Sequence, residues 1–317
     1  MIFKEEKMMV QEIKIGKSTV QTTKLGLGTN KVGGHNLFQN LNDQDGYDVV
    51  RKALDSGIKL LDTAYIYGEG RSEEIIGEVI QNYDRSKIVI ATKAAQDPQN
   101  NNQINNEPAF LKQAVKDALK RLQTAYIDIF YIHFPDNKTP KNEAVAALNE
   151  LKQAGLIRAV GVSNFTPEQI KEANIDGLVD IVEDHYNLVH RQIEKTEWPY
   201  LKQNKIAFVP YFPLASGLLT GRYTLNDYEK FADDYSKVEF ETIINALAIT
   251  QKIADRHSAT VTQTILAWYI TNPNIAVVIP GARNQQQAAG NVEALNVTLS
   301  EAEFQQIDKA FADFKNK

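Results

Sequence analysis

Four residues of this sequence have the types and spacing to do chemistry together: Asp62, Tyr67, Lys93 and His133. Asp62 closes the run Ile58-Lys59-Leu60-Leu61-Asp62, and Lys93 closes Ile88-Val89-Ile90-Ala91-Thr92-Lys93. His133 closes Ile127-Asp128-Ile129-Phe130-Tyr131-Ile132-His133, and Tyr67 stands in the loop after the first run. An ionisable side chain at the end of a buried apolar strand costs free energy, so three in succession point to a shared site. Tyrosine is a poor acid at neutral pH, with an unperturbed pKa of about 10. An ammonium about 4 Å away, at an effective dielectric of about 20, stabilises phenolate by roughly 4 kcal/mol. That could lower the phenol pKa by up to about three units. Lys93 could act in this way on Tyr67 if Asp62 held the ammonium, while His133 oriented a carbonyl oxygen or relayed a proton. The set suits protonation of an oxygen that gains negative charge, as a carbonyl oxygen does on accepting hydride.

The elements that must carry these residues alternate between apolar runs and amphipathic stretches. A hairpin is predicted near Glu12–Gln21, then a strand Lys24–Gly28 and a helix Asp43–Ser56. The strand ending at Asp62 leads to a helix Ser72–Gln81, and the strand ending at Lys93 to a helix Pro108–Leu122. The strand ending at His133 precedes a helix Glu143–Ala154, and strand Ile157–Val162 a helix Pro167–Ala173. Strand Leu178–Val182 is followed by one helix Ile193–Gln203, and strand Ile206–Val209 by a long insert. Ile275–Ile279 is the last strand, with a helix near Gln285–Ala294. About eight strands separated by helices predict a parallel (β/α)8 TIM barrel. The length exceeds the roughly 250 residues typical of that barrel. It leaves room for the N-terminal hairpin and two extra helices: Val238–His257 ahead of Val261–Thr271, and Ser300–Phe311 with a Ser300/Glu303 capping box.

No linker divides the chain, so residues 1–317 are expected to form one barrel domain, with residues 1–9 as an extension. The polar stretch Asp97–Asn106 reads as a loop, and Gly221–Lys237 as a lid-like loop. A net charge of -5 gives no reason to expect nucleic acid or an anionic membrane as partner. There is no cysteine, which excludes disulfides, thiol nucleophiles and thiolate metal sites. No run reaches the roughly 20 apolar residues of a membrane span, and the start lacks an apolar core of signal-peptide length. A cytoplasmic monomer or weak oligomer without a metal is the expectation.

The motifs Leu61-Asp62-Thr63-Ala64-Tyr65-Ile66-Tyr67-Gly68, Ala91-Thr92-Lys93, Ile132-His133 and Gly161-Val162-Ser163-Asn164-Phe165 resemble the aldo-keto reductase superfamily in order and spacing. The resemblance runs from Lys24 through Asn291. It looks closest to bacterial reductases found with inositol catabolism, on the segment Gly26–Asn36. It implies reduction of an aldehyde or ketone with NADP(H) preferred and NAD(H) possible, Tyr67 as general acid, Lys93 and Asp62 tuning it, and His133 positioning the substrate oxygen. By position, Ser163 and Asn164 would hold the nicotinamide carboxamide and Tyr211 would stack on the ring. Phe212, Leu214, Ser216 and Arg222 would line the pyrophosphate. Gly281, Arg283, Gln287 and Asn291 would meet the adenosine end, with Thr29, Asn30 and Asp62 also against the cofactor. Arg283 suits a 2′-phosphate because a guanidinium matches phosphate oxygens. Asn30, Tyr65 and Phe134 would shape the substrate pocket.

Two departures stand out. Relatives usually have Gln where this chain has Glu183, which could still accept from the carboxamide nitrogen of the cofactor but would repel its oxygen if ionised. The Lys and Arg that clamp the 2′-phosphate in many relatives correspond here to Gly281 and Gln287, leaving Arg283 with much of that task. Taken singly, Asp62, Lys93 and His133 have structural explanations, and Ser163-Asn164 could cap the helix at Pro167; their joint register is what favours a site. Two other function classes fit the same residues. One is a cofactor-binding redox sensor with slow or no turnover, like the barrel subunits attached to some potassium channels. The other is a Schiff-base aldolase on Lys93, disfavoured because Asp62 should keep that lysine charged.

Overall fold

The computed structural model describes residues 12–316; the expected extension at residues 1–9 lies outside that range. Seven parallel strands follow one another around a sheet: β1 (Leu27–Gly28), β2 (Leu60–Asp62), β3 (Val89–Ala94), β4 (Ile127–Ile132), β5 (Ile157–Ser163), β6 (Ile181–His185) and β7 (Ala207–Tyr211). Residues 275–281 close the ring. Ala276 donates to the Phe208 carbonyl (2.8 Å) on one side, and Val278 to Lys24 (3.0 Å) on the other. Gly26 and Gly28 donate back to Val278 (2.9 Å) and Pro280 (3.1 Å). The eighth segment therefore pairs through isolated bridges, Leu25 with Val278 and Gly28 with Gly281. Pro280 lacks an N–H and limits that ladder. The result is the (β/α)8 barrel expected from the alternation of elements.

Strand side chains alternate between two apolar layers. Leu60, Val89, Ala91, Ile129, Ala159, Ile181, Val209 and Val277 fill the barrel interior. Leu61, Ile90, Phe130, Val160, Val182, Phe208 and Val278 face the helices. The hairpin, Glu12–Lys14 with Gln21–Thr23, sits across the amino ends of the strands and adds Ile15 to the interior layer. Gly16 (φ +51°) lies so close to the Asp180 carbonyl that a Cβ would stand 2.0 Å from its oxygen, so only glycine fits.

Several expectations need correction. The helix expected over Ile193–Gln203 is two, Ile193–Thr196 and Trp198–Gln203, because Pro199 cannot donate to a preceding turn and instead starts the second. Strands β6 and β7 run on past Val182 and Val209, pairing Glu183 with Val209 and His185 with Tyr211. The stretch Asp97–Asn106 contains a small hairpin, Gln96–Asp97 with Gln103–Ile104. The insert after β7 is not a free lid: Tyr223 packs edge-on to Phe231, and Phe231 stacks on Phe240 of the helix Lys237–Arg256. Ser300 and Glu303 form the expected capping box before the helix Glu301–Ala310. Among the described residues no helix is long and apolar enough to cross a membrane.

Candidate active site

The inward-facing positions change character along each strand. Leu60 gives way to Asp62 on β2, Ala91 to Lys93 on β3, and Ile129 and Tyr131 to His133 just beyond β4. On β5 Ala159 and Gly161 are followed by Ser163, on β6 Ile181 by Glu183, and on β7 Val209 by Tyr211. Apolar residues fill the barrel, and polar ones crown the carboxyl ends, the face where barrel enzymes build their sites. Period-two alternation thus places six strand ends around one rim.

Lys93, 1% exposed, is the hub. Its ammonium donates to the Asp62 carboxylate and to the Thr63 carbonyl (3.0 Å), and lies 3.3 Å from Glu183 Oε1. It also sits between two phenol rings, 5.6 Å from the Tyr67 centroid and 5.5 Å from that of Tyr131, within cation–π range. Burial alone would push the Lys93 pKa down, but Asp62 and Glu183 hold it above the ordinary lysine value. Burial pushes both carboxyls up; Glu183 ends well above the usual carboxylate range, with Asp62 adding to the rise and Lys93 opposing it.

Tyr67 is brought to this hub by a tight loop. Tyr65 donates to the Lys93 carbonyl (2.9 Å) and Ser72 to the Tyr67 carbonyl (3.1 Å). Gly68 (φ +69°) passes so close to Gly33 that a Cβ would stand 1.9 Å from its carbonyl oxygen. The expected lowering of the Tyr67 pKa is not what this environment does. Burial pushes the phenol up, Lys93 pulls it down, and Asp62 and Glu183 push it up again. Desolvation, the largest of these effects, outweighs the attraction of the ammonium. Tyr67 is a neutral phenol that keeps its proton throughout the neutral range.

His133 is also neutral: burial pushes its pKa well below that of a free imidazole, and Lys93 adds to the fall. Its Nδ1 is buried without a hydrogen-bond partner among the described residues. The ring meets Tyr67 edge-on, with centroids 6.2 Å apart. Asn164 (φ +60°) ties the neighbouring strand ends together. Its amide donates to the His133 carbonyl (2.9 Å) and to Ser163 Oγ (3.0 Å), while its oxygen accepts from the Tyr211 hydroxyl (2.7 Å). Asn tolerates the left-handed region better than other residues with a Cβ. Neither Ser163 nor Asn164 caps the following helix, since Thr166 does so with Gln169. Tyr211 stacks on His185 (5.4 Å), which stacks on His190 (4.1 Å).

Thr29 is buried and used within the protein, its hydroxyl donating to the Asp62 carbonyl (2.8 Å). Asn30 lies against Gly281, where a Cβ would stand 3.4 Å from Asn30 Oδ1. Gln287 accepts from the Arg283 backbone N–H (2.9 Å), and Asn291 donates to the Gly281 carbonyl (3.3 Å). After β7 the backbone enters the left-handed region at Phe212, Ala215, Ser216 and Gly217, the first three at positive φ despite carrying a Cβ. Such positions cost about 1–3 kcal/mol each and gather at ligand clamps. Phe212 is exposed there, and the Arg222 guanidinium lies over Gly217.

Three residues escaped the motif reading. Tyr131 is fully buried beneath Lys93, and Gly161 opposite leaves the room its ring needs, because a Cβ would stand 2.3 Å from Tyr131 Cδ1. The pairing of Tyr131 two residues before His133 with Gly161 two before Ser163 was the available signal. Lys31, directly after Asn30, is the third. It is half-buried, which lowers its pKa, and Arg283 and Arg222 lie near enough to lower it further. None of these three cations has an acidic partner among the described residues. A cavity of about 340 Å³ at the opposite end, bordered by Lys14, Trp198, Lys205 and Ile275, holds no acid, histidine or tyrosine, so it offers no comparable chemistry.

Residues 24–312 match the sequence profile of the Aldo/keto reductase family. The chain belongs to this family. It is thus an oxidoreductase of a family that uses nicotinamide cofactors, as the motif resemblance implied. It is 35% identical to aldo-keto reductase YhdN of Bacillus subtilis (strain 168) over 296 residues, covering 90% of this chain and 89% of that protein. It is 32% identical to the NADH-specific methylglyoxal reductase of Escherichia coli (strain K12) over 314 residues, covering 93% and 96%. Among solved structures it is similar to the glycerol dehydrogenase AKR11B4 from Gluconobacter oxydans, with a TM-score of 0.84, 30% identity and 98% of each chain covered.

Proposed function

We propose that this aldo/keto reductase reduces an aldehyde or ketone to the alcohol, with Tyr67 as the proton donor and NADP(H) preferred over NAD(H). When bound, the nicotinamide supplies the hydride. Everything else is the task of the chain's own residues. The observation that carries the reading is the convergence of a neutral phenol, Tyr67, and a neutral imidazole, His133, beside the Lys93 ammonium on one barrel rim. A carbonyl oxygen that gains charge needs a proton and a donor, and a phenol that keeps its proton is the form able to give it. Lys93 stabilises the phenolate left behind, and Asp62 holds Lys93 in place. His133, neutral, can donate or accept at the substrate oxygen through a ring nitrogen without adding charge.

The rim also fits the cofactor. The left-handed positions Phe212, Ala215, Ser216 and Gly217, with Phe212 and Ser216 exposed, and the cations Lys31, Arg222 and Arg283, which lack an acidic partner among the described residues, suit an anionic dinucleotide. Ser163, Asn164 and Tyr211 would hold the nicotinamide end, and Leu214, Ser216 and Arg222 the pyrophosphate. Thr29 would support this wall through Asp62, with Asn30, Gly281, Gln287 and Asn291 toward the adenosine. The three cations favour a cofactor with the additional 2′-phosphate charge. Tyr67→Phe tests the reading: turnover of small aldehydes should fall by at least about a hundredfold, the typical worth of a general acid, while NADPH affinity, read by fluorescence, stays within a few-fold. Aldehyde reduction at the original rate in the Phe variant would remove Tyr67 as the acid.

A further inference from the structure

Two carboxyl groups share one ammonium in a site closed to water. Asp62 and Glu183 are each 2% exposed, and Lys93 is the cation both of them contact. If both carboxyls were ionised, the cluster would carry a net negative charge that no further cation among the described residues balances, an arrangement that low dielectric makes costly. The remaining oxygens, Asp62 Oδ2 and Glu183 Oε2, are both buried, and among the described residues neither has a donor from any other group. Two orphaned carboxyl oxygens in one cluster are satisfied together if one of them bears a hydrogen. The other groups facing Glu183 give no second positive charge: Tyr67 from its loop, Tyr131 on β4 and Tyr211 on β7 are phenols, and His133 near Lys93 is neutral.

We propose that Glu183 carries a proton and donates it in a hydrogen bond to the Asp62 carboxylate, so that the cluster around Lys93 is electrically neutral. Asp62 is the ionised partner because it receives the direct hydrogen bond from Lys93. Burial and Asp62 keep Glu183 above the carboxylate range against the opposing pull of Lys93, which agrees with the geometry. A carboxylic acid is neutral, planar and able both to donate and to accept, so Glu183 can occupy the place of an amide side chain on this rim without repelling a neutral ligand. It acts as a positioning residue: it leaves Lys93 with a single counter-charge, and losing its proton would add a negative charge beside Tyr67. This consequence for turnover rests on the carbonyl-reductase reading; the protonation itself does not.

The test therefore begins without turnover. A glutamic acid that is ionised when unfolded and protonated when folded must take up a proton on folding, and its raised pKa costs stability as pH rises above the unfolded value of about 4.3. Urea unfolding of the whole protein and of Glu183→Gln between pH 5 and 8 should show the folding constant of the wild type losing an extra tenfold per pH unit relative to the variant. Infrared spectra of the wild type at pH 7 should carry a carboxylic-acid C=O band that shifts in heavy water and is missing from Glu183→Gln. In carbonyl reduction with NADPH, the fall in kcat/KM at alkaline pH should move to higher pH in the variant. Parallel stability–pH curves, or the absence of the band in the wild type, would overturn the proposal even if the enzyme reduces aldehydes well. A band and a slope in a protein that turns over no carbonyl would uphold it and count instead against the reductase reading.

Discussion

Replacing Lys93 with methionine would remove the cation that holds a buried pair of carboxyls, and the structure sets the size and sign of the result. Methionine keeps much of the volume, so the loss is chiefly electrostatic. With the ammonium gone, an ionised Asp62 would be left in a site where it is 2% exposed. The cheaper course is for Asp62 to take up a proton, which at pH 7 means working about three units above an ordinary aspartate pKa of about 3.9. At about 1.36 kcal/mol per unit this costs roughly 4 kcal/mol, within the roughly 3–5 kcal/mol found when one partner of a buried ion pair is removed. The sign follows. In the variant Asp62 has a folded pKa raised above its unfolded value, so the folded state binds the extra proton and gains relative stability as pH falls. The deficit against wild type should shrink by about 1.4 kcal/mol per pH unit from pH 7 toward pH 5. Urea unfolding of both proteins at half-unit steps across that window measures it. A deficit under about 1 kcal/mol at pH 7, or one that does not change with pH, would refute the view that Lys93 is held in place by burial and by Asp62.

Gly161→Ala should destabilise the barrel by about 1–3 kcal/mol, because its Cβ would stand 2.3 Å from Tyr131 Cδ1. Adding Tyr131→Leu should recover part of that loss, and strictly additive urea midpoints would show that the two residues do not compete for the same space. Lys31→Ala and Arg283→Ala should each raise the NADPH dissociation constant about tenfold, equivalent to about 1.4 kcal/mol. A smaller effect on NADH assigns the contact to the 2′-phosphate. Unchanged affinity for both cofactors, titrated by fluorescence at low salt, would remove that cation from the cofactor's binding surface.

What the sequence by itself determined was local. Apolar runs ending in Asp62, Lys93 and His133, separated by amphipathic stretches, were enough to predict a barrel and to put three ionisable residues on the same end of consecutive strands. Strand parity is a property of the backbone, so it survives without coordinates. The capping box at Ser300 and Glu303 is equally local. Where one residue altered the backbone's options, as Pro199 does within the stretch read as one helix, the local rule existed but was outvoted by an otherwise helical pattern.

Only the tertiary structure decided what these groups are like when assembled. Glu183 could be read as a cofactor contact from its motif, but its place against Lys93 depends on how far β6 extends and on which strand ends face each other across the rim. The Tyr67 phenol could be expected to lose its proton easily if Lys93 were its only neighbour. The exclusion of water, with the Asp62 carboxylate beside the same ammonium, reverses that balance. Lys31 meets Arg283 because the closing segment brings residue 281 beside residue 30. Local patterning fixes which way a side chain points, whereas charge balance depends on every group within a few ångströms and on the water that barrel closure removes.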